Sequence, residues 1–408
     1  MVFEIGIGTS QNWDPEKASL EATTDALSKL THPPTFVLLF STIHYEKNNG
    51  FQKILDTTYT KIPKETPLVG GTVAGFMNNN GCYTRGMTIL TCYSDEIEPN
   101  IDFASNIKIN PQTASNKLNF QDNENSIIIT NIANGTVPNL PFLGRKRIIR
   151  APLPDKILLK SVELLSLFGY GVGREPEFEK NLAQRLPNTS QLIVANYDDN
   201  NSLSNYQFHK KAVLKNSASC LQLKFKNNFS MNSEFGAIET GKKFTISDEG
   251  VYGCAFSKAN KNNALDELWD LLGWDKSSLT EQIYRRTYYY PIGYKIDDKK
   301  YSLHIMGLVI NNSICTTHKF DKKENEFFVT SGKKIIESVK NMTDQNEKNN
   351  FIFGNFCTSH LETLGKKIFQ INELIKENHL IVFSAGEGYK YKKEEPYFFN
   401  SSFTFFKF

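Results

Sequence analysis

Several absences narrow the choice of function before any motif is considered. The six cysteines (82, 92, 220, 254, 315 and 357) are scattered and contain no C-x-x-C. Reduced thiols in a cytosol fit this better than a disulfide framework. There is no excess of either charge: 47 basic against 44 acidic residues leave +3. That is no electrostatic case for nucleic acid or a membrane surface, and the seven histidines add charge only at lower pH. No apolar run approaches the roughly 18 residues of a membrane-spanning helix. The opening Met-Val-Phe-Glu-Ile-Gly lacks a basic region and a long apolar core, so no signal peptide is expected. There is no H-x-H, H-E-x-x-H or Cys/His cluster, and neither a metal nor any other cofactor is expected. No G-x-x-x-x-G-K-[ST] occurs, and Gly169-Tyr170-Gly171-Val172-Gly173 lacks the G-x-G-x-x-G spacing of a nucleotide loop.

What is present is a globular composition. Hydrophobic residues (39%) and charged ones (22%) are both somewhat low because uncharged polar residues, above all Asn, fill the gap. A chain of 408 residues exceeds one ordinary core and suggests two or three domains.

The stretch from Pro67 to Phe76 organises the rest. Leu68-Val69 reads as a buried strand, and Gly70-Gly71-Thr72-Val73-Ala74-Gly75 lets the backbone turn and be approached closely. The same order recurs from His379 to Gly388 and, more weakly, from Gln191 to Asp199. One structural unit is therefore expected three times, with the functional surface at the small-residue ends.

In the first pass, Val2 to Ile7 reads as a strand. Asp14-Pro15-Glu16 starts a helix, with Asp as N-cap and Pro at the first position. Phe36 to Phe40 is a strand covered on both faces, followed by a helix from Phe51 to about Ile62. Strand, helix, strand in close succession indicates a right-handed parallel crossover. Met87 to Tyr93 is a further strand. The second pass runs from Ser126 through an insertion, Asn134 to Pro154, into helices at Ile157–Phe168 and Glu175–Leu186, then strands at Leu192, Ala212 and Ala218–Phe225. The third runs from Phe351 through a helix, Leu361 to Glu377, to the Leu380 strand. Between the second and third lie a helix at Ala264–Gly273, strands at Thr287–Ile296 (including Tyr288-Tyr289-Tyr290), Tyr301–Ile310 and Phe327–Val329, and a helix at Gly332–Lys340. A domain boundary is placed near Asn232 to Lys243.

Candidate residues follow from these ends. Gly70, Gly71, Thr72 and Gly75 can form a backbone cradle for a carboxylate or phosphate, or simply permit tight packing. Asp198 and Asp199 can receive an ammonium group or form a solvated turn. They are no acid/base pair, since adjacent strand side chains point to opposite faces. Glu387, between Gly386 and Gly388, can bind an amine or guanidinium. Cys357 with His360 invites a thiol nucleophile and base, against the plainer reading of a buried small residue. Arg145-Lys146-Arg147 and Arg150 read as a solvated basic loop.

These motifs resemble the FIST family, a pair of modules called FIST-N and FIST-C, over nearly the whole chain. The N-terminal likeness rests on Gly6-Ile7-Gly8-Thr9-Ser10, the Ala-rich helix after it, Phe36-Val37-Leu38-Leu39-Phe40 and Pro67 to Gly75. The C-terminal likeness rests on Phe356-Cys357, Leu364-Gly365, Phe383-Ser384-Ala385-Gly386-Glu387 and Asn400-Ser401. The chain departs from the family at Phe76, where Glu is common, at His360, where Arg is often found, and at Asn372, where an acid is typical. The resemblance implies a cytosolic sensory module for small molecules such as amino acids or related metabolites, here without an attached output or F-box. It also brings Gly386 and Asn400 into the candidate site.

The expectation is thus an α/β fold, with α+β left open: two modules of mixed sheets flanked by helices, FIST-N-like over 1–235 and FIST-C-like over 236–408. The function expected is a cytoplasmic small-molecule sensor in signal transduction, not an enzyme, with no catalytic residue. Its ligand would lie at Gly70, Gly71, Thr72, Gly75, Asp198, Asp199, Gly386, Glu387 and Asn400, and its partner would be a separate signalling protein. The alternatives are an interaction adaptor using the Asn134–Pro154 loop and, less favoured, a Cys357-dependent enzyme.

Overall fold

Three pairs of buried apolar strands form the frame, and each pair is parallel: Phe36–Ser41 with Leu68–Thr72, Ser126–Ala133 with Ser190–Asn196, and Phe351–Cys357 with Asn378–Ser384. The first strand of each pair is buried along its whole length, which is why these segments read as unbroken apolar runs. The computed structural model describes all residues except 1, 140–143, 198–202, 276, 278, 282, 298–299 and 344–350.

A parallel pair needs a crossover, and helices supply it: Gly50–Thr58 in the first unit, Asp155–Leu165 and Glu175–Arg185 in the second, Thr358–Leu364 and Ile368–Leu374 in the third. On one side each pair is flanked by an antiparallel strand, respectively Met87–Ser94, Ser217–Phe225 and Ser402–Lys407. On the other side it is completed by a hairpin that belongs to a different unit. Gly75–Asn78 and Gly81–Tyr83 follow the first unit's pair but join the third unit's sheet. Gln207–His209 and Ala212–Leu214 leave the second unit for the first. Glu387–Lys390 and Tyr397–Phe399 leave the third for the second. The exchange is cyclic, and it yields three six-stranded sheets of mixed direction.

The inner faces of the three sheets share one core. Phe40 stacks on Phe353 with centroids 5.8 Å apart, and Val69, Leu192 and Val382, one from each unit, lie in the same cluster. Helices cover the outer faces. The first, Pro15–Leu27, is capped by Asp14, whose side chain accepts from the amides of Glu16 and Lys17, each at 2.9 Å. It lies so close to the Phe3–Ser10 strand that a Cβ on Gly8 would stand 1.8 Å from the Ala22 carbonyl oxygen.

A fourth sheet is inserted between the second and third units. Its long strand Ala237–Gly250 pairs with Glu324–Thr330 and Ala255–Ala259, and the short strand Ile148–Ile149 from the second unit's insertion joins its edge beside Met306–Ile310. This is an α/β architecture with mixed sheets, as the sequence indicates. The boundary expected near residue 235 falls at the start of this insertion, but three of the four sheets draw strands from both sides of it.

Two local expectations are corrected. Residues 287–296 are not one strand: Ile283–Tyr289 is helical and only Ile292–Lys295 is extended. Packing outweighs the aromatic strand preference there, because Thr287 Oγ1 donates to the Met306 carbonyl at 3.1 Å and Tyr288 is buried against Ile305 and Cys357. The third unit's helix is broken at Gly365, whose φ of 49° lies in the left-handed region. Among the described residues no helix is long and apolar enough to cross a membrane.

Candidate ligand cavity

The three small-residue turns meet. The Ala74 amide donates to the Phe383 carbonyl at 2.9 Å, Ala385 to Ala195 at 3.1 Å, and Tyr197 to Thr72 at 3.0 Å. First unit to third, third to second, second to first, these bonds close a ring. The ring lies at the carboxyl ends of the parallel strands, the usual place for ligands in open α/β sheets.

A cavity of ≈ 400 Å³ opens beside it. Its floor comes from residues just past the strand ends: Asn134, Tyr197, Thr358 and Ala385. One wall is the helix Asp155–Leu165, which turns Val162 and Leu165 inward, followed by Gly171 to Gly173. A second wall is the inserted sheet, through Ile305, Gly307, Leu308 and Cys315 to Thr317. The stretch Lys146 to Arg150 crosses between them. It is held by the Arg147 amide, which donates to Glu281 Oε2 at 2.8 Å, and by the Arg147 carbonyl, which accepts from Val309 at 2.8 Å.

Polar groups are few and mostly engaged. The hydroxyls of Tyr197 and Tyr288 are 3.2 Å apart, and burial pushes the Tyr288 phenol well above its ordinary pKa. Asn400 Nδ2 donates to the Ala385 carbonyl at 2.6 Å, while its Oδ1 accepts from the Thr317 hydroxyl. Asn400 thereby fixes floor to wall without lining the cavity. Behind the inner wall, Lys108 Nζ donates to the Thr136 hydroxyl and to the Gly169 carbonyl at 3.0 Å. Desolvation pulls this buried amine down to about 7, opposed by Glu175. Burial pushes the Glu175 carboxyl up to about 8.

Of the nine residues expected from sequence to touch the ligand, the seven that are described do not line the cavity. Gly70 is paired between Leu39 and Phe208, and Gly71 is pressed against Asn196 and the Tyr206 carbonyl. The Thr72 amide donates to the Tyr206 carbonyl at 2.9 Å and that of Val73 to Ser41 at 3.0 Å. With Ala74 also committed in the ring, these amides leave no anion cradle. Gly75 lies opposite Phe383 and against the Tyr83 carbonyl. These glycines serve close packing. Gly386 accepts from Ala195 at 3.2 Å through its carbonyl, and a Cβ on it would meet the Phe398 ring.

Glu387 is wholly buried. Its carboxyl accepts from Ser402 Oγ at 3.0 Å and Ser384 Oγ at 3.3 Å, and burial raises its pKa well above the carboxylate range. A protonated, enclosed acid cannot receive a ligand's ammonium group. Asp198 and Asp199 lie outside the described residues. Cys357 is also buried, and desolvation raises its thiol pKa, so it holds no thiolate at neutral pH. His360 stands apart from any base role, buried and with desolvation lowering its pKa to about 3. No group of three or more His, Cys, Asp or Glu among the described residues is placed to hold a metal.

What the sequence reading missed is the wall. Lys146, Arg147 and Arg150, expected in a solvated loop, line the cavity, and Arg147 is only 5% exposed. The apolar neighbours Ile148 and Ile149 were the available signal. Gly171 to Gly173, too poorly spaced for a nucleotide loop, form part of the same lining.

No family model and no curated protein matches this chain. Among solved structures, a crystal structure of cyanuric acid hydrolase from A. caulinodans aligns with 55% of this chain and 72% of its own, at 9% identity and a TM-score of 0.27. That likeness is too slight to bear on fold or activity.

Proposed function

We propose that this protein binds a small molecule in the cavity beside the ring and acts as a cytosolic sensor, in line with its resemblance to the FIST family. One observation carries the reading: the strand-end turns of the second and third units, tied in a ring with that of the first, line an apolar cavity of ≈ 400 Å³. That is within the size range of small-molecule sites, and its walls come from separate parts of the chain. A ligand there touches the second unit, the third unit and the inserted sheet together, so its binding free energy is available to hold them in one arrangement. Amino acids or related metabolites remain the first panel to try.

Filling the cavity is the test. Val162→Trp places an indole in the space while leaving the ring untouched. A metabolite panel read by thermal unfolding should give hits with the native protein that vanish in Val162→Trp. At ~100 times the dissociation constant, a ligand stabilises by about 2.7 kcal/mol. Hits that persist unchanged in the filled variant would place the site elsewhere.

A second reading, an interaction adaptor, is supported by a different observation. On the helix Asp155–Leu165 and the turn after it, Ile157, Leu164 and Phe168 are exposed by 52, 54 and 75%. The opposite side of the same helix lines the cavity through Val162 and Leu165. A pull-down that loses its partner on Phe168→Ser would support this reading, and one indifferent to Phe168→Ser would remove it.

A further inference from the structure

We infer that the ligand is an anion with an apolar body, of the class of medium-chain or aromatic monocarboxylates. This rests on the ligand-binding reading of the same cavity. Among the described residues the lining carries charge of one sign. Lys146, Arg147 and Arg150 contribute to it, and among the described residues no acidic side chain does. Lys146 and Arg150 are exposed and so stand at the mouth, while Arg147 is buried in the wall.

The nearby acids do not reverse this. Glu387 lies beneath the floor and keeps its proton. Glu175 is buried behind Gly173. Glu281 takes the backbone amide of Arg147 and is not part of the lining. An ammonium group entering here finds no described counter-charge, whereas a carboxylate at the mouth finds two cations. A zwitterionic amino acid satisfies only one of its two charges.

Past the mouth the surface changes character. Val162, Leu165, Val172, Ile305 and Leu308 supply aliphatic walls, and the hydroxyls within reach are largely bonded to one another, to backbone carbonyls or to Asn400. Burying a hydrocarbon body is favourable there, at about a fourfold gain in affinity per methylene. A charged or polar tail gains nothing and loses its water. Head at the mouth and tail inward is the orientation this distribution selects.

The experiment compares octanoate, 1-octanol and octylammonium by titration calorimetry at low salt, with hexanoate as the shorter acid. Octanoate should bind at least about tenfold more tightly than the alcohol or the amine. Hexanoate should be weaker than octanoate by about fifteenfold, as two methylenes require, and the octanoate affinity should fall as salt is added. The double variant Lys146→Glu/Arg150→Glu, at exposed positions, should lose the preference for octanoate while 1-octanol stays within about twofold. Thermal unfolding without ligand checks that this variant folds.

If 1-octanol or octylammonium equals octanoate in the native protein, the anion inference is overturned and the cavity reading stands. The same holds if the double variant keeps the full octanoate preference. If none of the four compounds binds, the monocarboxylate inference is overturned, and the Val162→Trp panel decides the cavity reading separately.

Discussion

The Tyr197 amide donates to the Thr72 carbonyl across 3.0 Å, joining two residues 125 positions apart at the point where two of the three units touch. Asn196 Nδ2 reaches the same carbonyl at 3.2 Å, and the Thr72 hydroxyl accepts from the Tyr206 amide at 3.0 Å. Thr72 thus stands between both ends of the segment linking the second unit to the hairpin it lends to the first. The small residues around Thr72 are explained by this crowding, with no ligand required.

Gly70 is the position where that crowding is most severe. A Cβ there would stand 1.7 Å from the Leu39 carbonyl oxygen, which is backbone and cannot swing away. Gly70→Ala should lose more than about 3 kcal/mol, the scale of strong overpacking, and soluble yield should fall with it. Gly144→Ala is the control, since no atom lies within 4 Å of its added Cβ. Although its φ of 66° carries some strain, its urea midpoint should move much less. Equal midpoints for the two variants would show that the strand pair tolerates separation.

Glu387 is held protonated by burial, so an amide should replace it well. Glu387→Gln is expected within about 1 kcal/mol of the native protein at pH 7, whereas Glu387→Ala should lose about 2–4 kcal/mol by leaving a void beside the Ser384 and Ser402 hydroxyls. The raised pKa also fixes a pH trend. The native state keeps a proton that the unfolded chain releases above about pH 4.5, so this group's contribution is full below that point and declines as pH rises. The difference between glutamine and native should therefore move in the glutamine's favour between pH 6 and 9. Urea titrations of the three proteins at both ends of that range measure it.

Thiol labelling separates the packed cysteines from a reactive one. Five are buried and Cys82 is partly exposed, with its own thiol pushed up to about 11 by desolvation. Iodoacetamide at neutral pH should add at most one slow label to the native chain and six after unfolding. A fast label on Cys357 would reopen the thiol-enzyme reading.

Acid should unfold the protein through its histidines. His304 and His318 stack at 4.0 Å, and burial lowers His304 and His360 to about 3 and His318 well below its ordinary value. All three are neutral when folded and take up protons when unfolded below about pH 6.5. Stability should fall as pH drops through that point, by up to about 4 kcal/mol per pH unit for the three together. His360→Leu removes one of the three groups and should make the fall shallower. Urea midpoints between pH 7 and 5 measure it, and a slope unchanged by the substitution would remove His360 from the account.

The three repeated passes were legible because a doubly covered strand must be apolar throughout, and because the turn after it must be small. Phe36 to Phe40, Ile127 to Ile129 and Leu380 to Phe383 all announced themselves in this way. Asp14 and Pro15 marked a helix start through chemistry confined to one turn. The exchange of hairpins was not legible: Phe208 opposite Gly70 and Glu387 opposite Val194 are pairings across long separations with no local signature. Burial was hidden for a related reason. Glu387 between two glycines looks exposed until the Ser402 strand is laid against it. Arg147 looks solvated until the inserted sheet takes Ile148 and Ile149 as an edge strand. Tyr288 looked extended because its local preference is for strands, and only the contact with Ile305 and Cys357 turns it into a helix.

The cyclic loan of hairpins sets an order on synthesis. The first sheet cannot close until residue 214 has been made, and the second waits with one edge open until residue 399. The hairpin destined for the third sheet is finished by residue 83, far ahead of the strands that receive it. A nascent chain therefore carries a lone hairpin and an unpaired edge until those later strands emerge, and nonsense truncation after the Asn378–Ser384 strand removes the edge hairpin of the second sheet as well as the last strand of the third.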